Sequence, residues 1–422
     1  MRVLVISNFY PPFHIGGYEL GCRDVVDGLR VRGCDVVVLS SYYGLKRSVS
    51  DGTWRWLSAD FGAHPGGGFC SLVRLIRKES ANLHALRRAV RLASPDVVYF
   101  WNLGYVSASA IEVVRRASIP CCAFVSDHWL ARLEETDAWC RWIHSTARRP
   151  TRRAVKGLLR GILVGALPDA LPTAGGLRTQ FASRFLREQA LAAGRGQHDS
   201  PVIYWGVDTE VFRLGPPAAR TNHRILFVGQ VAPHKGVHTA VTALSLLASR
   251  HGWHDAGLDI VGGSTAAEYV AEISELARSL GVTERVRFLD TVPRSELPGV
   301  YAGHHVLVFP SVWEEPFSIT ILEAMASGTV VVSTPTGGSP EILCDGSNAL
   351  VFPPEDAATC AQQIDRLFRD AALVNRLRAS ARQTVESSFR LDHMIDRIAV
   401  ELRDVIARHD AREPAPGPDR RP

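Results

Sequence analysis

The sequence predicts an α/β protein of two Rossmann-like, doubly wound parallel-sheet domains facing across a cleft, and three observations carry that expectation. Short apolar runs rich in Val and Ile alternate with longer stretches of helical period, the pattern of βα units. The rhythm breaks and restarts once along the chain. At 422 residues, the chain exceeds what one hydrophobic core usually serves, so two domains of roughly 200 residues each are expected.

In the first half the strand candidates are Val3–Ser7, Asp35–Leu39, Asp96–Phe100, Cys121–Val125 and Pro201–Tyr204, with helical patterns between them. In the second they are Ile225–Gly229, Leu258–Val261, Val286–Leu289, Val306–Phe309, Val330–Ser333 and Ala349–Phe352. Gly215, Pro216 and Pro217 break both helix and strand. This places an N-terminal domain at 1–212, a linker at 213–222 and a C-terminal domain at 223–385. A helix at 386–411 is expected to pack back towards the first domain, ahead of a disordered tail at 412–422 rich in Pro, Arg and Asp.

Composition excludes several classes. The N-terminal apolar run, Val3 to Ile6, is far below the ~18 residues of a membrane span and lacks a cleavage pattern, so a cytoplasmic protein is expected. The eight cysteines show no paired CxxC spacing and read as reduced thiols, not as a disulfide framework or zinc site. A net charge of +5 is mild for this length and does not demand nucleic acid. Between Arg141 and Arg160 there are seven basic residues and no acids. Val155, Leu158, Leu159, Ile162 and Leu163 fall on one helical face there, so 141–164 is read as a candidate contact with an anionic membrane surface, or as a solvated helix packed on the sheet.

Open α/β sheets bind ligands in loops beyond the carboxyl ends of their strands, and the chemistry-bearing motifs fall there. Phe309-Pro-Ser-Val-Trp-Glu-Glu-Pro-Phe-Ser-Ile-Thr-Ile-Leu-Glu-Ala-Met-Ala-Ser-Gly328 reads as a strand, a loop and a helix over Phe317–Ser327, with Pro316 at its start and Gly328 as its cap. Glu315 precedes the helix and Glu323 lies two turns inside it. Carboxylates accept paired hydrogen bonds from vicinal hydroxyls, and the amides of Phe317 and Ser318 at a helix start suit an anion. Either glutamate alone reads equally well as a capping or solvated residue. Ser333-Thr-Pro-Thr-Gly-Gly-Ser-Pro-Glu341 is a second βα turn with paired glycines. Ile225-Leu-Phe-Val-Gly-Gln-Val-Ala-Pro-His-Lys-Gly236 places Lys235 just before a helix, where an ammonium could join helix amides on a diphosphate. Asp259-Ile-Val-Gly-Gly263 adds a further glycine pair. No Walker loop, GxGxxG fingerprint or Asp-x-Asp metal signature is present in a plausible place.

Taken together these segments, with Ser279–Ala302 between them, resemble the retaining glycosyltransferases of family 4, which have the GT-B fold; the resemblance covers most of residues 223–355. It implies that Glu315 and Glu323 are the acids of the family's E-x7-E motif, the first facing the donor sugar and the second the ribose. It makes Lys235 the diphosphate-binding lysine and puts Phe317, Ser318, Ile319, Gly229 and Gln230 in the donor site. Two positions depart from the pattern: Gln230 stands where arginine is usual and cannot supply its charge, and Ser318 stands where glycine is usual.

In the first half, Ser7-Asn-Phe-Tyr-Pro-Pro-Phe-His-Ile-Gly-Gly-Tyr-Glu19 is similar to the family's glycine-rich loop, in which Gly16 and Gly17 approach donor phosphate and acceptor. Ser126-Asp-His-Trp129 falls where many relatives carry a His-Asp pair. Alignment on Asp127 and Trp129 puts Ser126 at the histidine's position, so His128 stands either as a substitute ligand or as a loop histidine. The catalytic set implied is Glu315, Asp127 and His128.

The expected activity is metal-independent, retaining transfer of a hexose-type sugar from a nucleotide-diphosphate sugar to a hydroxyl on a glycan, glycolipid or small-molecule glycoside, with no resident cofactor or metal. Two rivals stay open: a nucleotide-sugar epimerase on the same fold, and a nucleotide-sugar-binding regulator.

Overall fold

The structure, a computed structural model, describes residues 1–60, 69–144, 177–215, 223–264 and 267–411. It divides into two compact units, Met1–Ile203 with Ile395 onwards, and Tyr204–Met394.

The first unit holds strands β1 (Arg2–Ser7), β2 (Asp35–Ser41), β3 (Ser48–Ser50), β4 (Thr53–Leu57), β5 (Val97–Asn102), β6 (Cys121–Val125) and β7 (Arg178–Phe181), in the order β3-β4-β2-β1-β5-β6-β7. All pairings are parallel except β3 with β4. The central strands are Val- and aromatic-rich because helices cover both faces of a parallel sheet; every residue of β5 is buried. Around them stand α1 (Gly17–Val31), α2 (Phe69–Ala93), α3 (Ser109–Arg116), α4 (Leu133–Thr136), α5 (Ala138–His144) and α6 (Arg184–Ala192).

The second unit holds β8 (Arg224–Val228), β9 (Gly257–Val261), β10 (Val286–Leu289), β11 (Val306–Phe309), β12 (Val330–Ser333) and β13 (Leu350–Val351), ordered β10-β9-β8-β11-β12-β13 and parallel throughout. Its helices are α7 (Val237–His251), α8 (Ala267–Ser279), α9 (Leu297–Ala302), α10 (Ile319–Ser327), α11 (Ala357–Arg369) and α12 (Ala371–Ser388). Leu244 and Leu247 of α7, Ile364 of α11 and Leu377 of α12 close over Ile225, Ile260 and Val308 to form one core.

Four expectations are corrected. Pro201–Tyr204 is not a strand: only Val202 bridges, to Phe181, because Pro201 lacks the N–H that a ladder needs. Strands β3, β4 and β7 lie outside the sequence reading. The unit boundary falls at Tyr204, ahead of the expected linker, because Arg382 of α12 donates to the carbonyls of Thr209, Phe212 and Ala326 and fastens that stretch to the second unit. Gly215 likewise accepts from Arg378, and residues 216–222 lie outside the described residues. Finally, α10 starts at Ile319, two residues later than expected, because the Ser318 hydroxyl accepts the Ile321 N–H and caps it.

The helix expected at 386–411 is α13 (Leu391–Asp410), and it belongs to both units. From Ile395 on it lies with the first: Asp396 pairs with Arg32 at 2.6 Å, and Arg397 donates to the Val202 carbonyl at 2.8 Å. The tail 412–422 and all of the basic stretch beyond His144 lie outside the described residues. No helix among the described residues is long and apolar enough to cross a membrane.

Candidate functional site

In the second unit the chain runs outward in one direction through β8, β9 and β10 and in the other through β11, β12 and β13, so the order reverses between β8 and β11. A crevice opens at such a reversal, and the loops leaving the carboxyl ends of those two strands bound it. Lys235 lies on the loop after β8 and Glu315 on the loop after β11.

The two meet there. Lys235 Nζ stands 2.7 Å from Glu315 Oε1, and the Ser311 hydroxyl donates to the same oxygen at 2.6 Å. Glu315 is buried. The backbone stitches the loops together: the His234 carbonyl accepts from Val312 N–H at 3.0 Å and Trp313 N–H at 3.2 Å. Thr334, at the end of β12, donates to the Ser311 carbonyl at 2.6 Å. Burial, and next the Lys235 charge, hold the His234 imidazole below its usual range, so it is a neutral ring beside the ion pair.

The glycine turn after β12 supports Glu315 from the other side. Gly337 has φ +57°, and a Cβ there would meet the Glu315 carbonyl oxygen at 2.3 Å and its nitrogen at 2.5 Å. Gly338 N–H donates to that carbonyl at 2.7 Å. The turn is therefore the bed on which the Glu315 backbone lies.

Glu323 sits inside α10, also buried. Tyr301 donates to its Oε2 at 3.1 Å, and Arg294 Nε lies 3.4 Å from its Oε1. Phe317 is an aromatic packing residue, stacked on Tyr204 at 5.4 Å and tilted against Phe389. Ser318 spends its hydroxyl on the helix cap, and with α10 beginning at Ile319 the amides of Phe317 and Ser318 precede the helix. Gly229 and Gln230 follow β8 directly. Gly229 N–H donates to the Val261 carbonyl at 3.0 Å, and a Cβ on Gly262 (φ +140°) would meet the Gly229 oxygen at 2.0 Å, so these two turns touch through bare backbone.

In the first unit the strand order reverses between β1 and β5. Asn8 follows β1, Asn102 ends β5 and Asp127 follows β6. Asn102 Nδ2 donates to Asp127 Oδ2 at 2.7 Å, while its Oδ1 accepts the Gly104 N–H at 2.8 Å. Trp129 N–H donates to Asp127 Oδ1 at 2.9 Å. Burial pushes the Asp127 carboxyl above the usual carboxylate range, against the Trp129 N–H, the neighbouring His128 and the Asn102 amide, which hold it down. His128 is buried against α6: its Nδ1 is 2.7 Å from Gln189 Oε1, and its ring meets Phe185 edge-on. The Ser126 hydroxyl is buried and has no hydrogen-bond partner among the described residues.

Gly16 and Gly17 open α1. Glu19 reaches back from the first turn to accept the N–H groups of Ile15 and Gly16, both at 3.0 Å. Gly16 has φ −150°, and a Cβ there would meet nothing within 4 Å. Its own fold therefore does not demand glycine.

Ser311, Tyr301, Arg294, Asn8 and Asn102 escaped the sequence reading. Ser311 lies four residues before Glu315, inside the motif already quoted, and the asparagines lie at strand ends in loops next to a reversal. Among the described residues no three His, Cys, Asp or Glu side chains converge as metal ligands.

Two doubly wound units, each carrying polar and charged side chains at its reversal, define a two-domain α/β protein of the class that binds ligands at such reversals. Comparisons with known proteins give the family. The model for glycosyl transferases group 1 matches residues 210–384, and that for a glycosyl transferase 4-like domain matches residues 16–159. A D-inositol 3-phosphate glycosyltransferase of Frankia alni is 30% identical over 318 residues, covering 66% of this chain and 78% of the relative. YtcC of Bacillus subtilis is 28% identical over 255 residues, and the match spans 56% of this chain and 62% of YtcC, less than two thirds of that relative. HepE of Anabaena, solved in complex with UDP-glucose, matches with TM-score 0.66 at 18% identity over 96% of this chain and 100% of that one. The chain belongs to the group 1 glycosyl transferases and is a GT-B glycosyltransferase of the family 4 type.

Proposed function

We propose that the protein is a retaining, metal-independent hexosyltransferase whose second unit holds a nucleotide-diphosphate sugar. The observation that carries this reading is the Lys235–Glu315 pair at the β8/β11 reversal, at 2.7 Å. A cation and a carboxylate fixed side by side match the two parts of a sugar diphosphate: the ammonium neutralises the diphosphate, and the carboxylate accepts from sugar hydroxyls. The amides in the first turns of α7 and α10 add donors for the phosphates. Glu323 takes the ribose hydroxyls. Gln230 contributes an amide where a guanidinium is usual, so Lys235 carries more of the diphosphate charge.

In the proposed reaction the acceptor oxygen forms its bond to the anomeric carbon on the face from which the nucleotide diphosphate departs. The bond to the diphosphate oxygen breaks, and a donor phosphate oxygen takes the acceptor's proton. Glu315 orients the sugar and forms no covalent bond to it. The first unit selects the acceptor, with Asp127 as an oriented acceptor group and Ser126 offering an unsatisfied hydroxyl. His128, held by Gln189, positions the α6 side of that loop. UDP-glucose, present in the HepE complex, is the first donor to try, and inositol phosphate the first acceptor, after the Frankia relative. A peripheral contact with an anionic membrane surface at the cytoplasmic face completes the proposal.

A thermal-shift screen of UDP-, GDP-, ADP- and TDP-sugars identifies the donor, because a cognate ligand raises the melting temperature by mass action. Product anomer analysis by NMR then tests retention. Stabilisation by no nucleotide sugar, or an inverted product, would refute the reading. Epimerised donor in the absence of acceptor would instead favour an epimerase.

A further inference from the structure

We propose that Tyr301 is a positioning residue for donor recognition, holding the Glu323 carboxylate in the orientation that receives a ribose. The inference rests on the donor reading above, and it concerns a residue outside the motif that supplies Glu323.

Three features separate Tyr301 from an ordinary core aromatic. Its ring is fully buried, and its hydroxyl, beside the Thr320 side chain, donates to Glu323 Oε2 at 3.1 Å. Its backbone is fixed, because Thr329 Oγ1 donates to the Tyr301 carbonyl at 2.7 Å. Its ring is packed edge-on against Phe212 at 6.1 Å, so the phenol has one available direction. On the far side of the carboxylate, Arg294 Nε lies 3.4 Å from Oε1, and its guanidinium rests 6.0 Å from the centre of the same Phe212 ring.

The consequence is a carboxylate clamped from both ends. A glutamate side chain has three rotatable bonds, and freezing it from a mobile state costs on the order of 1–2 kcal/mol. That cost is met here on folding and not on donor binding. Each carboxylate oxygen can accept about two hydrogen bonds, so a carboxylate held in one orientation presents its two oxygens as a pair of acceptors. Two adjacent acceptors match the two donors of a vicinal diol. Burial, and next the Glu323 charge, push the Tyr301 phenol well above its usual range, so it remains a donor at any working pH.

The test uses the full chain and calorimetry with UDP, ADP, GDP and CDP, each beside its 2′-deoxy counterpart. The wild-type protein should bind one ribonucleotide about tenfold or more tighter than its deoxy form, as expected for loss of a hydrogen bond to a buried carboxylate. Tyr301→Phe, which keeps the ring and its packing, should weaken the ribonucleotide about fivefold and leave the deoxynucleotide unchanged. Glu323→Gln should abolish the discrimination. If Tyr301→Phe weakens both forms equally, or neither, while Glu323→Gln abolishes discrimination, Tyr301 is a packing residue and the inference fails with the donor reading intact. If Glu323→Gln keeps the discrimination, or no nucleotide binds, the donor reading fails and takes the inference with it. The ribo-to-deoxy ratio is internal to each protein, so a partly destabilised variant still reports.

Discussion

Lys235 and Glu315 lie eighty residues apart in sequence, and the strand reversal brings them to 2.7 Å, where Ser311 shares the same carboxylate oxygen. The pair is asymmetric. Glu315 is nearly enclosed, with 6% of its side chain exposed against 21% for Lys235. Removing the lysine strands a buried carboxylate; removing the carboxylate leaves a lysine that reaches water. Lys235→Met should therefore cost about 1–3 kcal/mol of stability and raise the donor KM about tenfold or more through the lost charge on the diphosphate. Glu315→Gln should fold normally and lower kcat about 100-fold, the scale of a lost transition-state contact. Steady-state kinetics beside thermal melts checks both. Full transfer activity in Glu315→Gln with unchanged donor affinity would remove Glu315 from the mechanism.

Gly337 and Gly16 make opposite predictions although both belong to glycine pairs. At Gly337 a methyl group would lie 2.3 Å from the Glu315 carbonyl in a left-handed backbone. Gly337→Ala should thus destabilise the second unit by about 1–3 kcal/mol and depress activity by moving Glu315. At Gly16 the backbone is extended and the space is open, so Gly16→Ala should leave the melting temperature unchanged. If Gly16 lies against a ligand, its methyl costs activity alone. A drop in stability for Gly16→Ala, or none for Gly337→Ala, would contradict this assignment.

Sequence periodicity was enough for the second unit's sheet, since β8, β9, β11 and β12 are apolar and buried along almost their whole length and the motifs mark their ends. It failed where side-chain chemistry overrode hydrophobicity. Arg178–Phe181 reads as polar, yet it is a strand because Tyr99 donates to Gln180 inside the sheet at 2.8 Å. The β3–β4 hairpin did leave a signal, Asp51-Gly52, both with positive φ, the pair a two-residue turn favours. Glu315 and Glu323 could be singled out because they share one contiguous segment, and Lys235 because its own segment, Ile225–Gly236, runs from a strand to the start of a helix. Tyr301, Arg294 and Asn102 were not, because what defines them is the partner each meets after folding.

Helix α2 offers a surface for the proposed membrane contact. Arg74, Arg77, Arg87, Arg88 and Arg91 are its exposed charged residues. Its one acid, Glu79, is buried, and Lys78 is paired with Asp60. Beside its C-terminal half a groove of about 430 Å³, floored by Val90, Val113 and Val114, is rimmed by Arg87, Arg91 and Arg116. Each basic residue near an anionic leaflet is worth about 1 kcal/mol. Replacing Arg74, Arg77, Arg87 and Arg91 with Gln should reduce co-sedimentation with phosphatidylglycerol vesicles by several fold per residue and leave soluble-acceptor activity unchanged. Equal binding of the variant and wild type to those vesicles would exclude this face.

Glu79 gives the first unit a pH dependence of definite sign. It faces Asp137 in the interior and accepts the Ser107 hydroxyl at 2.6 Å, with the Ser109 side chain also holding it down. Burial, and next the Asp137 charge, raise its carboxyl from 4.5 to about 7. The folded protein thus prefers the protonated acid. Stability from that preference is fully present below about pH 4.5, the unfolded value, and is lost as pH rises through about 7. Asp137 shares the trend, since burial raises it too, although the N–H groups of Ala108, Trp139 and Cys140 hold it down. Glu79→Gln cannot ionise and should remove the Glu79 contribution. Relative to wild type, its melting temperature should gain a few degrees at pH 8 and little at pH 5, with the change centred between those values. A variant whose advantage is independent of pH, or greatest in acid, would show that Glu79 is ionised in the folded protein.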